Sequence, residues 1–333
     1  MVTVHDVARA AGVSISTVSR ALAAPERVAE GTRTRVVVAA RELGYRPNSA
    51  ASRLRAGRTD AVGFVVPDLE NPYFASLTKG AQARARATGY AVLVADTGED
   101  PELEVDLVRG MCPQVDGLVL CSPRAAEHDL EAAGDLPLVL VNRELGTSAS
   151  VVADDASGVR QAVEHLRALG HRRIAYVGGP DRAWSDGRRR DGLDRAAREL
   201  PDVRIVQLGA FRPHVAGGHA AADLVVASGA TAVVAYNDLV AIGLIERFRA
   251  RGLDVPRDLS VVGWDDTFVA TLASPALTSV GADLRALGAA ATDVVLEAVR
   301  QSRRTAAAGP SDDGGRLRVP VELVVRASTG VAP

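Results

Sequence analysis

The chain has 333 residues, 47% hydrophobic and 24% charged, a globular composition long enough for two or three domains and unlike that of a disordered chain. Two cysteines, Cys112 and Cys121, exclude a disulfide framework, and no Cys/His spacing suits a metal. The net charge of −2 hides a division: residues 1–59 hold ten arginines against four acidic residues, while the remainder holds 29 basic and 37 acidic ones. A basic head on an acidic body suits polyanion binding, although a solvated arginine-rich surface has the same balance. There is no run of apolar residues long enough to span a membrane and no secretory signal at Met1-Val-Thr-Val, so a soluble, cytoplasmic chain is expected.

The first helix is expected to start after Thr3, a good N-cap, with Asp6 in its first turn and Val4, Val7, Ala8 and Ala11 forming one apolar stripe. Gly12 ends it, and Ser14 caps a second helix over Ile15–Leu22, with Val18 and Leu22 turned inward. Two short helices around a glycine turn make a helix-turn-helix. A third helix runs from about Glu30 to Leu43, with Val36, Val37, Ala40 and Leu43 as its core face. On the second helix Ile15, Ser16, Thr17, Ser19 and Arg20 are not needed for packing. Short hydroxyls suit phosphates and arginine suits guanine, although any small bundle has a polar face. Residues 47–59 carry Asn48 as a cap and Leu54 between Arg53 and Arg55. This is either a plain tether or a short helix that folds on DNA and wedges Leu54 between base pairs.

Beyond residue 60, strands are predicted at Ala61–Val66, Tyr90–Ala95, Gly117–Cys121, Leu136–Val141, Arg173–Gly178, Val203–Leu208, Thr231–Tyr236 and Leu259–Trp264. Helices are predicted at Phe74–Thr88, Glu102–Met111, Ala156–Leu169, Ser185–Leu200, Gly218–Ser228, Asp238–Arg251 and Ala282–Arg300. Apolar strands interleaved with helices indicate parallel sheets covered on both faces, and their number favours two lobes. Seven of the twelve aromatic residues (Tyr73, Phe74, Trp184, Phe211, Tyr236, Trp264 and Phe268) fall at or beside strand ends, where such folds bind ligands. Asp238, and either Asp154 or Asp155, read as helix caps. No phosphate loop, nucleophile elbow or Ser/His/Asp order marks an enzyme.

The strings Thr3-Val-His-Asp-Val-Ala-Arg-Ala-Ala-Gly-Val-Ser-Ile-Ser-Thr-Val-Ser-Arg-Ala-Leu22 and Gly44-Tyr-Arg-Pro-Asn48 closely resemble the head of the LacI/GalR family of bacterial transcriptional regulators. The likeness continues through Asn71-Pro-Tyr-Phe74, Gly178-Gly-Pro180, Tyr236-Asn-Asp238, Ser260-Val-Val-Gly-Trp-Asp-Asp-Thr267 and Glu322-Leu-Val-Val-Arg326. The resemblance implies a helix-turn-helix domain (1–46), a hinge helix or linker (47–59) and a two-lobed, periplasmic-binding-protein-like α/β body (60–333). The lobes would be about 60–158 with 284–316, and 159–283 with 317–333. It implies base reading by Ile15, Ser16 and Arg20, phosphate contacts from Thr3, Ser14, Thr17 and Ser19, and a hinge helix starting at Asn48 with Ala51 and Leu54 in the minor groove. An effector cleft would be lined by Tyr73, Phe74, Asn142, Arg143, Ser185, Arg189, Phe211, Asn237 and Asp265, with Trp184 and Phe211 over an apolar sugar face.

The function so implied is repression of transcription from double-stranded operator DNA, controlled by a small-molecule effector, a sugar by preference. A nucleoside- or purine-like corepressor is the alternative, and a transporter's solute-binding protein a weaker one. No metal, cofactor or membrane is implied. The chain carries no leucine-heptad tail, so a homodimer is expected, with Phe74–Thr88 as a candidate contact and Arg303–Arg316 as an exposed loop.

Overall fold

The computed structural model describes residues 2–23, 25–45, 58–305 and 315–333. Asn48, Ala51, Leu54 and the expected hinge helix lie outside the described residues, as does most of the 303–316 stretch. The chain divides into two compact units between Thr59 and Asp60.

The first unit holds α1 (Val4–Ala11), α2 (Ile15–Ala23) and α3 (Glu30–Glu42) around Val7, Ala8, Ala11, Val18, Ala21, Val36, Ala39 and Ala40. The Asp6 carboxylate accepts from the Thr3 backbone N–H and hydroxyl, at 2.9 and 2.8 Å, which fixes the start of α1 and holds the Asp6 carboxyl below its ordinary range. Gly12 ends α1 at φ 63°, in the left-handed region that a glycine enters without a Cβ penalty. One expectation fails here. Val37 and Leu43 are 47% and 37% exposed, because three consecutive valines at 100° per residue cannot share a face, and Val36 with Ala39 and Ala40 takes the inner one.

The second unit contains two six-stranded sheets. The first has the order β11-β5-β4-β3-β1-β2, all parallel, from β1 (Ala61–Val66), β2 (Ala91–Asp96), β3 (Gly117–Cys121), β4 (Leu138–Val141), β5 (Ala149–Ala153) and β11 (Arg316–Val319). The second has the order β12-β10-β9-β8-β6-β7, from β6 (Arg173–Gly178), β7 (Arg204–Ala210), β8 (Ala232–Ala235), β9 (Ser260–Asp265), β10 (Thr278–Gly281) and β12 (Glu322–Val324). Only β12 runs antiparallel to its neighbour.

Alternation along β1 sends Val62, Phe64 and Val66 toward α4 (Pro72–Ala87) and α11 (Leu284–Thr305). Ala61 and Val65 face α5 (Pro101–Met111) on the other side. In the second sheet Ile174 and Tyr176 pack on α6 (Asp155–Ala168) and α7 (Trp184–Glu199). Ala175 and Val177 pack on α8 (Val215–Ala227) and α9 (Asp238–Ala250), with α10 (Phe268–Leu272) beside them. Both faces of each sheet are thus apolar, as parallel sheets require. Gly80 and Gly288 let α4 and α11 touch. A Cβ on either would stand 2.1 or 2.0 Å from the carbonyl oxygen of Arg285 or Leu77.

The expected lobe limits shift. Leu317, Arg318 and Val319 pair with Val151, Val152 and Ala153, so these residues belong to the first lobe, not the second. At the other limit α6 packs into the second lobe from its start. The chain therefore crosses between lobes at Asp154–Asp155, between Gly281 and Leu284, and between Val319 and Glu322.

Candidate functional site

The carboxyl ends of both sheets converge on one narrow cavity, lined by Asn71, Tyr73, Phe74, Glu99, Ser122, Arg124 and Asn142 from the first lobe. Ser185, Arg189, Pro213, Tyr236, Asn237 and Asp265 line it from the second. Local sequence places them there. Asn71 accepts from the Tyr73 N–H at 3.0 Å, and with Pro72 starts α4, which fixes Tyr73 and Phe74 at the cavity wall. Asn237 accepts from the Val240 N–H at 2.9 Å and caps α9, so this cap is not Asp238. Asp154, accepting from Ser157, is the cap of α6, which frees Asp155 for another task.

Four non-glycine wall residues sit at positive φ: Glu99 at 65°, Ser122 at 47°, Asn142 at 56° and Asp265 at 98°. Such conformations cost free energy and cluster where side chains are aimed for function.

In the first lobe the Asn142 Nδ2 donates to the Tyr73 hydroxyl at 2.7 Å and to Ser122 Oγ at 3.0 Å. Burial first, and then the Asp265 carboxylate, push the Tyr73 phenol well above its ordinary pKa, so it is a neutral hydroxyl with a proton to donate. Arg124 is 4% exposed and forms a two-pronged ion pair with Glu99, at 2.6 and 3.1 Å.

In the second lobe Arg189 is buried. Its Nε donates to Asp155 Oδ1 at 2.8 Å and its Nη1 to the Tyr236 carbonyl oxygen at 2.6 Å. Its guanidinium carbon stands 4.2 Å from the Trp264 ring centre and 5.1 Å from that of Tyr236. Burial works against its charge, but Asp155 and its other neighbours outweigh burial and hold the guanidinium protonated. Asp186 anchors the start of α7, accepting from the Tyr176 hydroxyl and the Gly179 N–H, both at 2.7 Å. That anchoring holds Ser185 and Arg189 against the cavity.

Asp265 is the exception among these charges. Among the described residues no donor bonds its carboxylate. Burial raises its pKa well above the ordinary range; Arg189 pulls it down, and Asp238 and Asp155 push it further up. The arrangement offers fixed donors on two sides and one unshared acceptor, which suits a ligand rich in hydroxyls.

Behind Asp265, Asp238 accepts from Ser279 Oγ at 2.5 Å and from the Thr267 N–H and hydroxyl at 2.7 and 2.9 Å. Burial pushes its carboxyl from 3.8 up to about 7, against the pull of those donors. A carboxyl protonated more readily in the folded chain stabilises the fold below its ordinary pKa, and that stabilisation is lost as pH rises through the folded value. Stability is therefore expected to fall between about pH 4 and about pH 7, and Asp238→Asn to flatten that slope. The amide can still accept from Thr267 and donate to Ser279. Urea melts across pH test this, and an unchanged slope would remove Asp238 as its source.

Seven of the ten sequence-predicted cleft residues thus meet: Tyr73, Phe74, Asn142, Ser185, Arg189, Asn237 and Asp265. Three do not line the cavity. Arg143 donates to the carbonyl oxygens of Ala125 and Pro123, Trp184 lies under Arg188 (5.7 Å), and Phe211 packs on the apolar core of the second lobe. Asn71, Glu99, Ser122, Arg124, Pro213 and Tyr236 also line the wall and are not among those ten. On the head Thr3, Ser14, Ile15, Ser16, Ser19 and Arg20 are exposed and Thr17 is half-buried. The Ser14 hydroxyl lies 2.8 Å from those of Ser16 and Thr17, and Arg20 donates to Ser16. Among the described residues no cluster could hold a metal, and no helix is long and apolar enough to cross a membrane.

A helix-turn-helix head joined to a two-lobed body with an inter-lobe cavity defines a class of protein: a ligand-binding α/β domain fused to a DNA-binding module. Residues 3–48 match the family described as "Bacterial regulatory proteins, lacI family", and residues 163–329 match "Periplasmic binding protein-like domain". The chain is 33% identical to the HTH-type transcriptional regulator DegA of Bacillus subtilis, over 98% of each. It is 30% identical to the HTH-type transcriptional repressor CytR of Escherichia coli, over 99% of this chain and 97% of that one. Its fold matches the Lac repressor dimer bound to operator and the anti-inducer ONPF, with a TM-score of 0.85 and 28% identity over 99% of both chains. It also matches the transcriptional regulator CelR–cellobiose complex, with a TM-score of 0.71 and 28% identity over 98% of this chain and 100% of that one. The chain belongs to the LacI family of bacterial transcriptional regulators.

Proposed function

We propose that this chain is a sequence-specific repressor, acting in the cytoplasm, whose affinity for operator DNA is set by a neutral sugar bound between the lobes. The observation that carries the reading is the unshared Asp265 carboxylate facing fixed donors in a cavity built by strand ends of both lobes. Hydroxyls satisfy such a set and need no catalyst beside it. The contacts proposed for the head follow its exposed face. Ile15, Ser16 and Arg20 read bases, and Thr3, Ser14, Thr17 and Ser19 meet phosphates. The hinge contacts of Asn48, Ala51 and Leu54 belong to the same reading. Relatives of the same fold support it, one captured with operator and anti-inducer and another with cellobiose.

The test is operator selection from random duplexes, followed by fluorescence anisotropy with and without sugars and nucleosides. Sugar-induced release is the expected result. A nucleoside that tightens binding would assign a corepressor instead, and chemical turnover of the sugar would overturn the binding-only reading. Arg20→Ala is expected to weaken specific binding by about 1–3 kcal/mol. Unchanged discrimination against scrambled DNA would remove its base-reading role.

We also propose a homodimer. Phe268 and Leu272 are 63% and 74% exposed, and Leu272 lines a groove on the second lobe with Ile242, Ile245, Val269 and Ala273, edged by Glu246, Arg249 and Ser274. Exposed apolar surface of this kind marks a protein contact. Leu272→Asp is expected to shift sedimentation toward the monomer and to weaken operator binding with it. An unchanged dimer would move the contact elsewhere, α4 being the first candidate.

A further inference from the structure

We propose that His214 and Asp68 form a tie between the lobes that biases how far they part, and through that the affinity for operator. Neither residue lines the cavity, so the proposal does not depend on which effector binds there. The His214 Nδ1 stands 3.7 Å from Asp68 Oδ2. Asp68 lies in the first lobe, in the turn between β1 and α4, and His214 lies in the second, as the cap residue of α8. Away from the three backbone crossings, no other hydrogen bond or ion pair among the described residues joins lobe to lobe. Each partner is fixed on its own side. Asp68 Oδ1 accepts from the Glu70 N–H at 2.8 Å, and the Leu69 N–H donates to Asp96, the last residue of β2, at 2.7 Å. Opposite them, the Asn237 Nδ2 donates at 2.9 Å to the carbonyl oxygen of Pro213, the residue before His214. The gap between the two side chains therefore follows the lobes themselves.

An unmet acceptor gives the pair its direction. Asp68 is 9% exposed, and its Oδ2 is buried with no hydrogen-bond donor among the described residues. Such an acceptor costs free energy until a donor reaches it. Burial raises the Asp68 carboxyl above its ordinary range; the Glu70 N–H and His214 pull it back, and the charges of Asp96 and Glu70 push it up again. An imidazole donates from Nδ1 when charged and in one of its neutral tautomers. An approach of about 0.5 Å brings the contact within hydrogen-bond range. Parting the lobes returns both groups to water instead. A contact that strengthens as the lobes close and is surrendered as they open shifts the balance between the two arrangements without touching the effector.

The test uses the full chain with no effector added. Spin labels at Glu102→Cys in the first lobe and Ala227→Cys in the second, both exposed, report the inter-lobe distance by pulsed electron resonance. The background carries Cys112→Ser, Cys121 being buried, and labelled chain is diluted into unlabelled chain so that each measured pair lies within one protomer. Asp68→Ser keeps an acceptor for the Glu70 N–H and removes Oδ2, and His214→Ala removes the imidazole. Each is expected to shift the distance to longer values, and the double variant no further than either, because one contact is broken in all three. His214→Gln, whose amide still donates, is expected to lie between wild type and His214→Ala. Asp202→Asn, which breaks an ion pair with Arg167 inside the second lobe, is expected to leave the distance unchanged. On an operator selected from random duplexes, both single variants are expected to change affinity in the same direction by about threefold or more, and the double variant to match them. Three results would overturn the proposal: folded variants with the wild-type distance, additive shifts in the double variant, or longer distances with unchanged operator affinity. Distances that shift as expected in a chain that selects no duplex would instead defeat the repressor reading and leave the tie standing.

Discussion

Replacing Asp155 by alanine is expected to destabilise the body by about 3–5 kcal/mol and to abolish effector binding, because it leaves Arg189 charged and buried without its partner. The guanidinium cannot escape to water. It is held between the Trp264 and Tyr236 rings and bonded to the Tyr236 carbonyl. The other carboxylate whose charge acts on Arg189 is Asp265, and its recruitment would consume the one carboxylate left for the ligand. Asp155→Asn keeps an oxygen for the Nε hydrogen bond without the charge, so it should fall between wild type and alanine. Urea unfolding and sugar titration on the same preparations check both halves. A loss below about 0.5 kcal/mol would mean that Asp155 is not the counter-ion the fold depends on.

Asp265→Asn is expected to act in opposite directions on the two quantities. Stability at neutral pH should rise, because a half-buried, unshared carboxylate near Asp155 and Asp238 is removed. Sugar affinity should fall by about tenfold or more, since the amide replaces one acceptor oxygen by a donor and a lost hydrogen bond costs about 0.5–1.5 kcal/mol, with more for the group left unpaired. Asparagine also tolerates the positive φ at this position better than most side chains, so backbone strain does not confuse the comparison. The pH dependence adds a signature. With its folded pKa raised, Asp265 stabilises the unliganded fold only below its ordinary carboxylate range, and this is lost as pH rises toward the folded value. The variant should therefore lose stability less steeply on that rise. A variant both less stable and still sugar-responsive would remove Asp265 from the site. Trade-offs of this sort are common where a site is built from groups that the fold would rather not bury.

Much of the architecture was legible because its signals are local. Apolar runs such as Ala61–Val66 and Gly117–Cys121 match their strands, and Thr3, Ser14 and Gly12 delimit the first two helices as read. Strands β5, β10, β11 and β12 escaped: β5 and β10 are short and interrupted by Ser150, Thr278 and Ser279, polar residues that are fully buried in the sheets, and β11 and β12 have only four and three residues. The missed contacts have two origins. On α7, Ser185 and Arg189 stand four residues apart and share one face, while Trp184 and Arg188 share the next, as the stacking of Arg188 on Trp184 demonstrates. Helical spacing alone separates these pairs, and proximity to the motif does not.

Arg143 and Arg124 are the harder case. Each follows a strand end, and nothing in Asn142-Arg143 or Ser122-Pro-Arg124 says which guanidinium turns inward. The choice depends on Glu99 and Glu104, 25 and 20 residues away in sequence from Arg124. Partners that distant are set by tertiary structure, and a single sequence carries no local mark of them.

The three passages of the backbone between lobes, at Asp154–Asp155, Gly281–Leu284 and Val319–Glu322, have a mechanical consequence. Three connections resist sliding and twisting together far better than one, which leaves rocking about their common line as the soft motion. Each sheet then moves as a plate, with its strand ends travelling as one rim. A molecule gripping any part of that rim exerts a torque on the whole plate, so a ligand small enough to touch only a few side chains still has the leverage to turn half of the body.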